Sequence, residues 1–144
     1  MEEFYPPVGF YFSVKFPGIS NKNDSKFQEV SGISASLQTQ QKKRGGYRNP
    51  ATVPLKTTYS NLKLKRGFLK NSEVSEWVRD ALENLNITLK DVEVSLLNEQ
   101  GQPVVTWSFI NAYPVKWEID AFNSTKNQVA LETLELTYES FKQI

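Results

Sequence analysis

The 144-residue sequence contains no cysteine and no histidine. Without cysteine it can form no disulfide and offers no thiol nucleophile. Without histidine it lacks the commonest metal ligand and general base of proteins. These two absences exclude Ser-His-Asp and Cys-His catalytic systems. They predict a protein with no catalytic residues, no metal site and no cofactor.

Long apolar runs are also missing. No stretch reaches the roughly 18 apolar residues that a transmembrane helix needs, so no membrane insertion is expected. The first ten residues, MEEFYPPVGF, carry acids where a signal peptide requires bases. We therefore expect synthesis in the cytoplasm.

Acidic residues are absent from Val30 to Ser72, where nine lysines and arginines lie. The remainder from Glu73 to the C-terminus reverses this balance, with twelve acids and five bases. Such an asymmetry predicts a basic surface for an acidic partner, either nucleic acid or another copy of this chain.

What is present favours strands. Hydrophobic residues make up 39% of the chain and aromatic residues 12%, which is typical of a folded domain. Residues 9–16, 86–97, 104–119 and 128–141 show apolar side chains at a period of two. The apolar set of 128–141 changes parity, which predicts either a bulge near Glu132 or a strand that leaves one sheet and joins another. We expect one domain over residues 1–144, mainly β, built as an antiparallel barrel of two packed sheets.

One helix is predicted, over about residues 72–85. Its apolar side chains follow the i, i+3, i+4 spacing of a single buried stripe. Ser72 is suited to cap its first turn. The residues expected in the core or in helix packing are Val74, Trp77, Val78, Leu82 and Trp107.

Residues 38–56, QTQQKKRGGYRNPATVPLK, have no clean periodicity, five basic residues and no acid. They predict a long protruding loop. A structureless loop of this length in a small domain is uncommon unless it is functional.

Two other function classes fit the sequence less well. Basic residues beside Tyr47 and Tyr59 are compatible with single-stranded nucleic acid binding, in which bases stack on aromatic rings. Against that, the aromatic residues do not alternate with the bases, and the isoelectric point is near 7.8. An enzyme would need a carboxylate pair or a metal site, and Glu132 and Glu135 lie on a strand where acids usually face solvent.

Several segments together resemble the tail tube proteins of contractile phages and of phage-like contractile injection systems. The most specific are residues 29–32 (EVSG), 61–67 (NLKLKRG), 101–116 (GQPVVTWSFINAYPVK) and 127–136 (NQVALETLEL). The resemblance runs from about residue 5 to residue 141. A related fold is the hemolysin-coregulated protein of type VI secretion.

The resemblance implies a structural subunit that forms hexameric rings, which stack into a hollow tube for delivery of DNA or protein effectors. It implies a surrounding sheath protein, a baseplate and tube-terminating proteins as partners, and a final location in an assembled virion or injection particle. The long loop would pack against the neighbouring ring. The residues expected at that inter-ring interface are Lys42, Lys43, Arg44, Tyr47 and Arg48.

Joining sheets across subunits requires free strand edges, and terminal strands commonly provide them. On this ground Leu131, Leu134 and Leu136 are predicted to lie on an inter-subunit strand. Whether the chain is the bulk tube subunit or a baseplate-proximal paralogue that initiates the tube stays open, as does nucleic acid binding as a function of a different class.

Overall fold

The computed structural model describes residues 11–19, 22–42, 51–120 and 130–144. These residues form ten β-strands, one α-helix and a short 3-10 helix, Lys22–Ser25. The helix, α1, spans Glu73–Asn84. The strands are β1 Tyr11–Lys15, β2 Lys26–Phe27, β3 Glu29–Ser31, β4 Ala35–Lys42, β5 Ala51–Tyr59, β6 Leu62–Gly67, β7 Lys90–Leu97, β8 Pro103–Ile119, β9 Leu131–Thr137 and β10 Ser140–Gln143.

Eight of these strands form one antiparallel sheet, and the 17-residue strand β8 divides it into two wings. In the first wing, β8 pairs with β7 and β10, and β7 continues to β1 and β2. In the second wing, the far end of β8 pairs with β9, which continues to β6 and β3. The pairing of β8 with β9 has a register shift between Pro114 and Lys116. The mainly β, antiparallel fold with one helix is confirmed, but the barrel is not closed among the described strands.

The core lies between the two wings and α1. It is built from alternate residues of β1, β6, β7, β8 and β9, because side chains two apart on a strand share a face. Val14, Val94, Phe109 and Leu134 are completely buried in it.

Helix α1 begins and ends close to the predicted positions. The Ser72 hydroxyl caps it by accepting a hydrogen bond from the Ser75 amide at 3.1 Å. Val74, Trp77 and Val78 are buried as predicted. The prediction that Leu82 is buried is wrong. It is 40% exposed, because Ala81 occupies the position that faces the sheet. Trp107 is partly buried against the core.

The prediction of a loop over residues 38–56 is also wrong. Residues 35–42 and 51–59 are strands β4 and β5, which pair with each other from Ala35–Tyr59 to Lys42–Ala51. Residues 43–50 lie outside the described part. The strand pattern is invisible in the sequence because the side chains of β4 are exposed on both faces, so no apolar alternation is required.

Gly32 lies where the β3–β6 pair passes into the β4–β5 hairpin. Its φ is +90°, a left-handed conformation that favours glycine. A Cβ atom there would lie 2.0 Å from the Asn61 carbonyl oxygen. The backbones at Gly32 and Asn61 therefore approach closely where the chain enters and leaves the hairpin.

The change of parity in the apolar pattern of β9 has a cause other than the predicted bulge. Pairing of β9 with β6 is regular from Leu131 to Leu136, with Glu132, Leu134 and Leu136 all inward and buried. The apparent parity change arises because a carboxylate occupies a core position. No helix in the described part of the chain is long and apolar enough to cross a membrane.

Candidate assembly surfaces

The β4–β5 hairpin is the most exposed element of the described chain. Its leucines Leu37 and Leu55 are 60% and 57% exposed. Only its base is anchored by rings: Tyr59 lies 5.8 Å from Tyr138 and 5.3 Å from Phe141, centroid to centroid. Because an isolated two-stranded hairpin is marginally stable in water, this hairpin is suited to packing against a partner.

The predicted inter-ring residues fall at the far end of this hairpin. Lys42 is the last residue of β4, paired with Ala51, and its side chain is not described. Lys43, Arg44, Tyr47 and Arg48 lie outside the described residues. Their placement at an interface stays a prediction.

The inter-subunit strand predicted at Leu131, Leu134 and Leu136 is wrong. Strand β9 lies between β8 and β6 and hydrogen-bonds to both, so it offers no free edge. Leu134 and Leu136 are completely buried in the subunit's own core, and Leu131 is half-buried. A proline at position 134 would therefore disrupt the subunit itself rather than a contact between subunits.

The edges of the described sheet lie elsewhere. Among the described strands, β10 pairs only with β8, β3 only with β6 and β2 only with β1. Each leaves one row of backbone groups without a strand partner in this part of the chain. Such edges are templates for pairing with another chain.

A buried ionic network joins the second wing to the start of α1. The Arg66 guanidinium donates to Glu132 Oε1 at 2.7 Å and to Asp24 Oδ1 at 3.0 Å. It also donates to the Ser72 hydroxyl at 2.8 Å, and Ser72 in turn donates to Asp24. The guanidinium lies 4.8 Å from the centre of the Phe27 ring.

The network fixes the orientation of the helix on the sheet. Asp24 Oδ2 accepts the Glu73 amide at 2.8 Å, so both Asp24 and Ser72 satisfy free amides of the first helical turn. The second Glu132 oxygen accepts the Trp117 indole N–H at 3.1 Å. One cation and two carboxylates, all nearly inaccessible to solvent, therefore hold five segments together: the 3-10 helix, β6, the start of α1, β8 and β9.

The network was not predicted from the sequence, in which Glu132 was expected on a solvated face. The sequence nevertheless contains a pattern that indicates the network. Arg66 follows Leu62 and Leu64 at the core parity of β6, and Glu132 precedes Leu134 at the core parity of β9. Two opposite charges at inward positions of pairing strands indicate a buried ion pair.

One side of α1, beside the buried Trp77, is acidic. Glu73, Glu76, Asp80 and Glu83 line a groove of about 630 Å³, together with Lys90 and Arg79. The acidic half of the chain thus presents a concentrated negative face. No group of three or more acidic side chains that could hold a metal ion occurs among residues 11–19, 22–42, 51–120 and 130–144.

Tyr138 gives a prediction for alkaline pH. Its hydroxyl is buried without a hydrogen-bond partner among the described residues. Burial, with a contribution from nearby Tyr59, raises the pKa of Tyr138 from 10.0 to about 12. Because the folded state disfavours the phenolate, this contribution to stability is complete below about pH 10 and is lost as the pH rises toward about 12.

Tyr138→Phe is accordingly expected to change the free energy of unfolding little near pH 7, since it deletes a hydroxyl that lacks a partner. At about pH 11 the variant should be more stable than the wild type, because the phenylalanine has no proton to lose. Urea unfolding at both pH values measures the difference, with Tyr11→Phe as control. An equal alkaline loss in wild type and Tyr138→Phe would contradict the assignment.

Comparison with known proteins places these features in a family. The family model described as T4-like virus tail tube protein gp19 matches residues 8–142. No curated protein sequence matches the chain.

Solved structures of similar fold come from several assemblies. A chain of the anti-feeding prophage baseplate is 28% identical, with a TM-score of 0.78 and coverage of 100% of this chain and 97% of that one. A chain of the sheath-tube complex of an extracellular contractile injection system, PVC, is 26% identical, with a TM-score of 0.74 and coverage of 99% and 93%. Hcp1 from Flavobacterium johnsoniae is 18% identical, with a TM-score of 0.55 and coverage of 92% and 94%, and shares the fold.

The family match spans nearly the whole chain. The chain belongs to the T4-like virus tail tube protein gp19 family.

Proposed function

We propose that this chain is the structural subunit of the inner tube of a contractile tail or injection system, in which homohexameric rings stack into a hollow tube. The observation that carries the proposal is the exposed β4–β5 hairpin. It extends from the domain, exposes two leucines and belongs to a segment with five bases and no acid. A two-stranded hairpin of this kind is only marginally stable by itself, so it is expected to gain stability by packing against another subunit.

Ring formation and stacking draw on different surfaces. The edges of β10 and β3 are suited to continuing the sheet into neighbouring subunits, which would bury the backbone groups that these strands leave unpaired. The basic hairpin is suited to contacts along the tube axis. Opposite charge on the two faces of a ring would favour head-to-tail stacking and set its polarity.

The partners follow from the same assembly. Similar chains occur in a sheath-tube complex, in a tube-terminating cap and in a baseplate. We infer that this subunit also lies inside a sheath, between a baseplate and a terminating protein, and that DNA or protein effectors travel in the channel. After synthesis in the cytoplasm it would become part of the assembled particle. The subunit itself would have no enzymatic activity.

Charge reversal in the hairpin tests the stacking role. The triple variant Lys43→Glu, Arg44→Glu and Arg48→Glu is expected to form rings but no long tubes, because six copies per ring would then repel the acidic face. Each exposed pair contributes only about 0–1 kcal/mol, so the effect depends on repetition around the ring. Negative-stain microscopy and native mass spectrometry distinguish rings from tubes.

The matched control changes three exposed lysines outside the hairpin to glutamate: Lys15, Lys63 and Lys116. It alters the net charge equally and should leave more tube than the hairpin variant. Long tubes at normal yield from the hairpin variant would exclude the hairpin as the stacking element. Raising the salt concentration should weaken stacking of the wild type through screening.

A further inference from the structure

Helix α1 ends in a turn that presents a leucine to solvent. Leu85 follows the last helical residue and has a φ of +55°, a left-handed conformation that apolar side chains rarely adopt. The other described non-glycine residues with positive φ are Asn71 and Asn111, and asparagine tolerates this conformation. Leu85 is also 81% exposed. Neither backbone preference nor burial within the subunit therefore accounts for a leucine here.

The turn around Leu85 is fixed by Asp80. The two Asp80 carboxylate oxygens accept the side-chain amides of Asn84 at 2.9 Å and of Asn86 at 2.7 Å. The Asp80 carbonyl oxygen accepts the backbone amides of Leu85 and, at 3.1 Å, of Asn86. A strained conformation that its surroundings hold in place is typical of a functional site.

The exposed apolar surface extends beyond this one side chain. Leu82, Ile87 and Leu89 of the same segment are exposed as well. We call residues 82–89 the Leu85 knob. Exposed apolar residues that are grouped in this way indicate an interaction surface.

The other end of α1 carries a cavity of about 260 Å³ with apolar walls. The exposed rings of Phe68 and Trp117 form these walls. The Trp117 indole N–H donates to Glu132, which is itself held by Arg66, so the buried network sets the position of the ring. The cavity is lined by Phe68, Leu69, Lys70, Asn71, Ser72, Ser75, Arg79 and Trp117.

The charges of the knob and of the cavity are complementary. Lys70 and Arg79 are the charged residues that line the cavity, and no acid is among its lining residues. Neither cation forms an ion pair with another described residue. In the knob, the exposed Glu83 lies two residues before Leu85. An apolar side chain with a carboxylate beside it therefore matches an apolar cavity with two cations beside it.

The cavity offers one further unused group. The Ser75 hydroxyl lines it and is buried without a hydrogen-bond partner among the described residues. Asn84 and Asn86, which flank Leu85, have side-chain carbonyl oxygens that can accept from a hydroxyl. A docked knob can thus supply the partner that a buried polar group requires.

The knob of a subunit cannot enter the cavity of the same subunit. Leu85 lies ten residues after Ser75, which corresponds to about 15 Å along the axis of α1. The occupant is therefore a second copy of this chain. Such a contact is heterologous, since each copy uses its knob on one neighbour and its cavity on another, and it propagates from copy to copy.

We propose that Leu85 of one subunit docks in the Phe68–Trp117 cavity of the next copy, with Glu83 beside Lys70 and Arg79 of that copy. The inference rests on the proposed assembly of this chain into rings and tubes. It adds a contact between copies that is independent of the strand edges and of the hairpin.

The absence of cysteine allows a disulfide test between two singly substituted proteins. Glu83→Cys and Lys70→Cys, mixed in equal amounts under mild oxidation, can form a disulfide only between copies, and both keep Leu85 and the aromatic walls. Docking should make the 70–83 disulfide form on the order of tenfold faster than the disulfide in a control mixture of Glu83→Cys with Lys63→Cys, because docking raises the effective concentration of one thiol at the other. Peptide mass spectrometry identifies the linked positions.

Two further measurements define the outcome. Leu85→Asn, added to Glu83→Cys, suits the left-handed conformation and should keep the fold, as urea unfolding verifies, but it should remove the tenfold advantage. Wild-type rings together with equal rates in the two mixtures, or an advantage that survives Leu85→Asn, would overturn this contact alone. A wild type that stays monomeric by native mass spectrometry at every concentration would overturn the proposed function and this contact with it.

Discussion

Replacing Arg66 with methionine is expected to lower the free energy of unfolding of the isolated subunit by about 3–5 kcal/mol, because breaking a buried ion pair leaves an uncompensated buried charge. Arg66 is 3% exposed, and both of its carboxylate partners, Asp24 and Glu132, are essentially inaccessible to water. Methionine fills a similar volume but donates no hydrogen bond. The carboxylates would face each other across the gap, and the first turn of α1 would lose part of its anchor.

The same pair of strands provides the control. Lys63 lies on β6 opposite Glu135 on β9, as Arg66 lies opposite Glu132. The Lys63–Glu135 pair is long, at 4.0 Å, and the lysine side chain is 56% exposed. Lys63→Met should therefore cost no more than about 1 kcal/mol. Urea unfolding of dilute, unassembled protein measures both, and similar losses in the two variants would show that the Arg66 network does not stabilise the fold.

Truncation of Trp77 to alanine is the second large effect, with an expected loss of about 3–5 kcal/mol, as for other buried aromatic side chains. The Trp77 ring packs against Phe16 with centroids 5.7 Å apart, and its indole N–H donates to the Thr88 carbonyl at 2.9 Å. The substitution opens a cavity under α1 and leaves that carbonyl without its donor. Both consequences weaken the attachment of the helix to the first wing.

Leu82→Ala is the control for Trp77→Ala, because it truncates a side chain of the same helix that does not pack in the core. Leu82 belongs to the same predicted apolar stripe, but it is exposed at the surface of the subunit. Its truncation should cost less than about 1 kcal/mol, within the range of surface substitutions. Thermal unfolding of the two variants provides the comparison. A Leu82→Ala loss as large as that of Trp77→Ala would mean that both side chains support the helix equally.

The elements with a strong local pattern were predictable from the sequence. The spacing of Val74, Trp77 and Val78 specifies the buried face of α1, and Ser72 specifies its start, because helix periodicity and capping are properties of neighbouring residues. The inward residues of β7 and β8 follow from alternation in the same way. The resemblance to tail tube proteins likewise depended on motifs readable along the chain.

Features that depend on pairing between residues distant in the sequence were decided only by the tertiary structure. The β4–β5 hairpin has no internal core, so its strands exist through their hydrogen bonds to each other and leave no apolar pattern to read. Strand β9 looks terminal in sequence but is central in the sheet, since an edge is defined by which strands pair and not by position in the chain. Glu132 looks solvated until Arg66 lies opposite it, because only a partner brought close by folding makes a buried carboxylate tolerable.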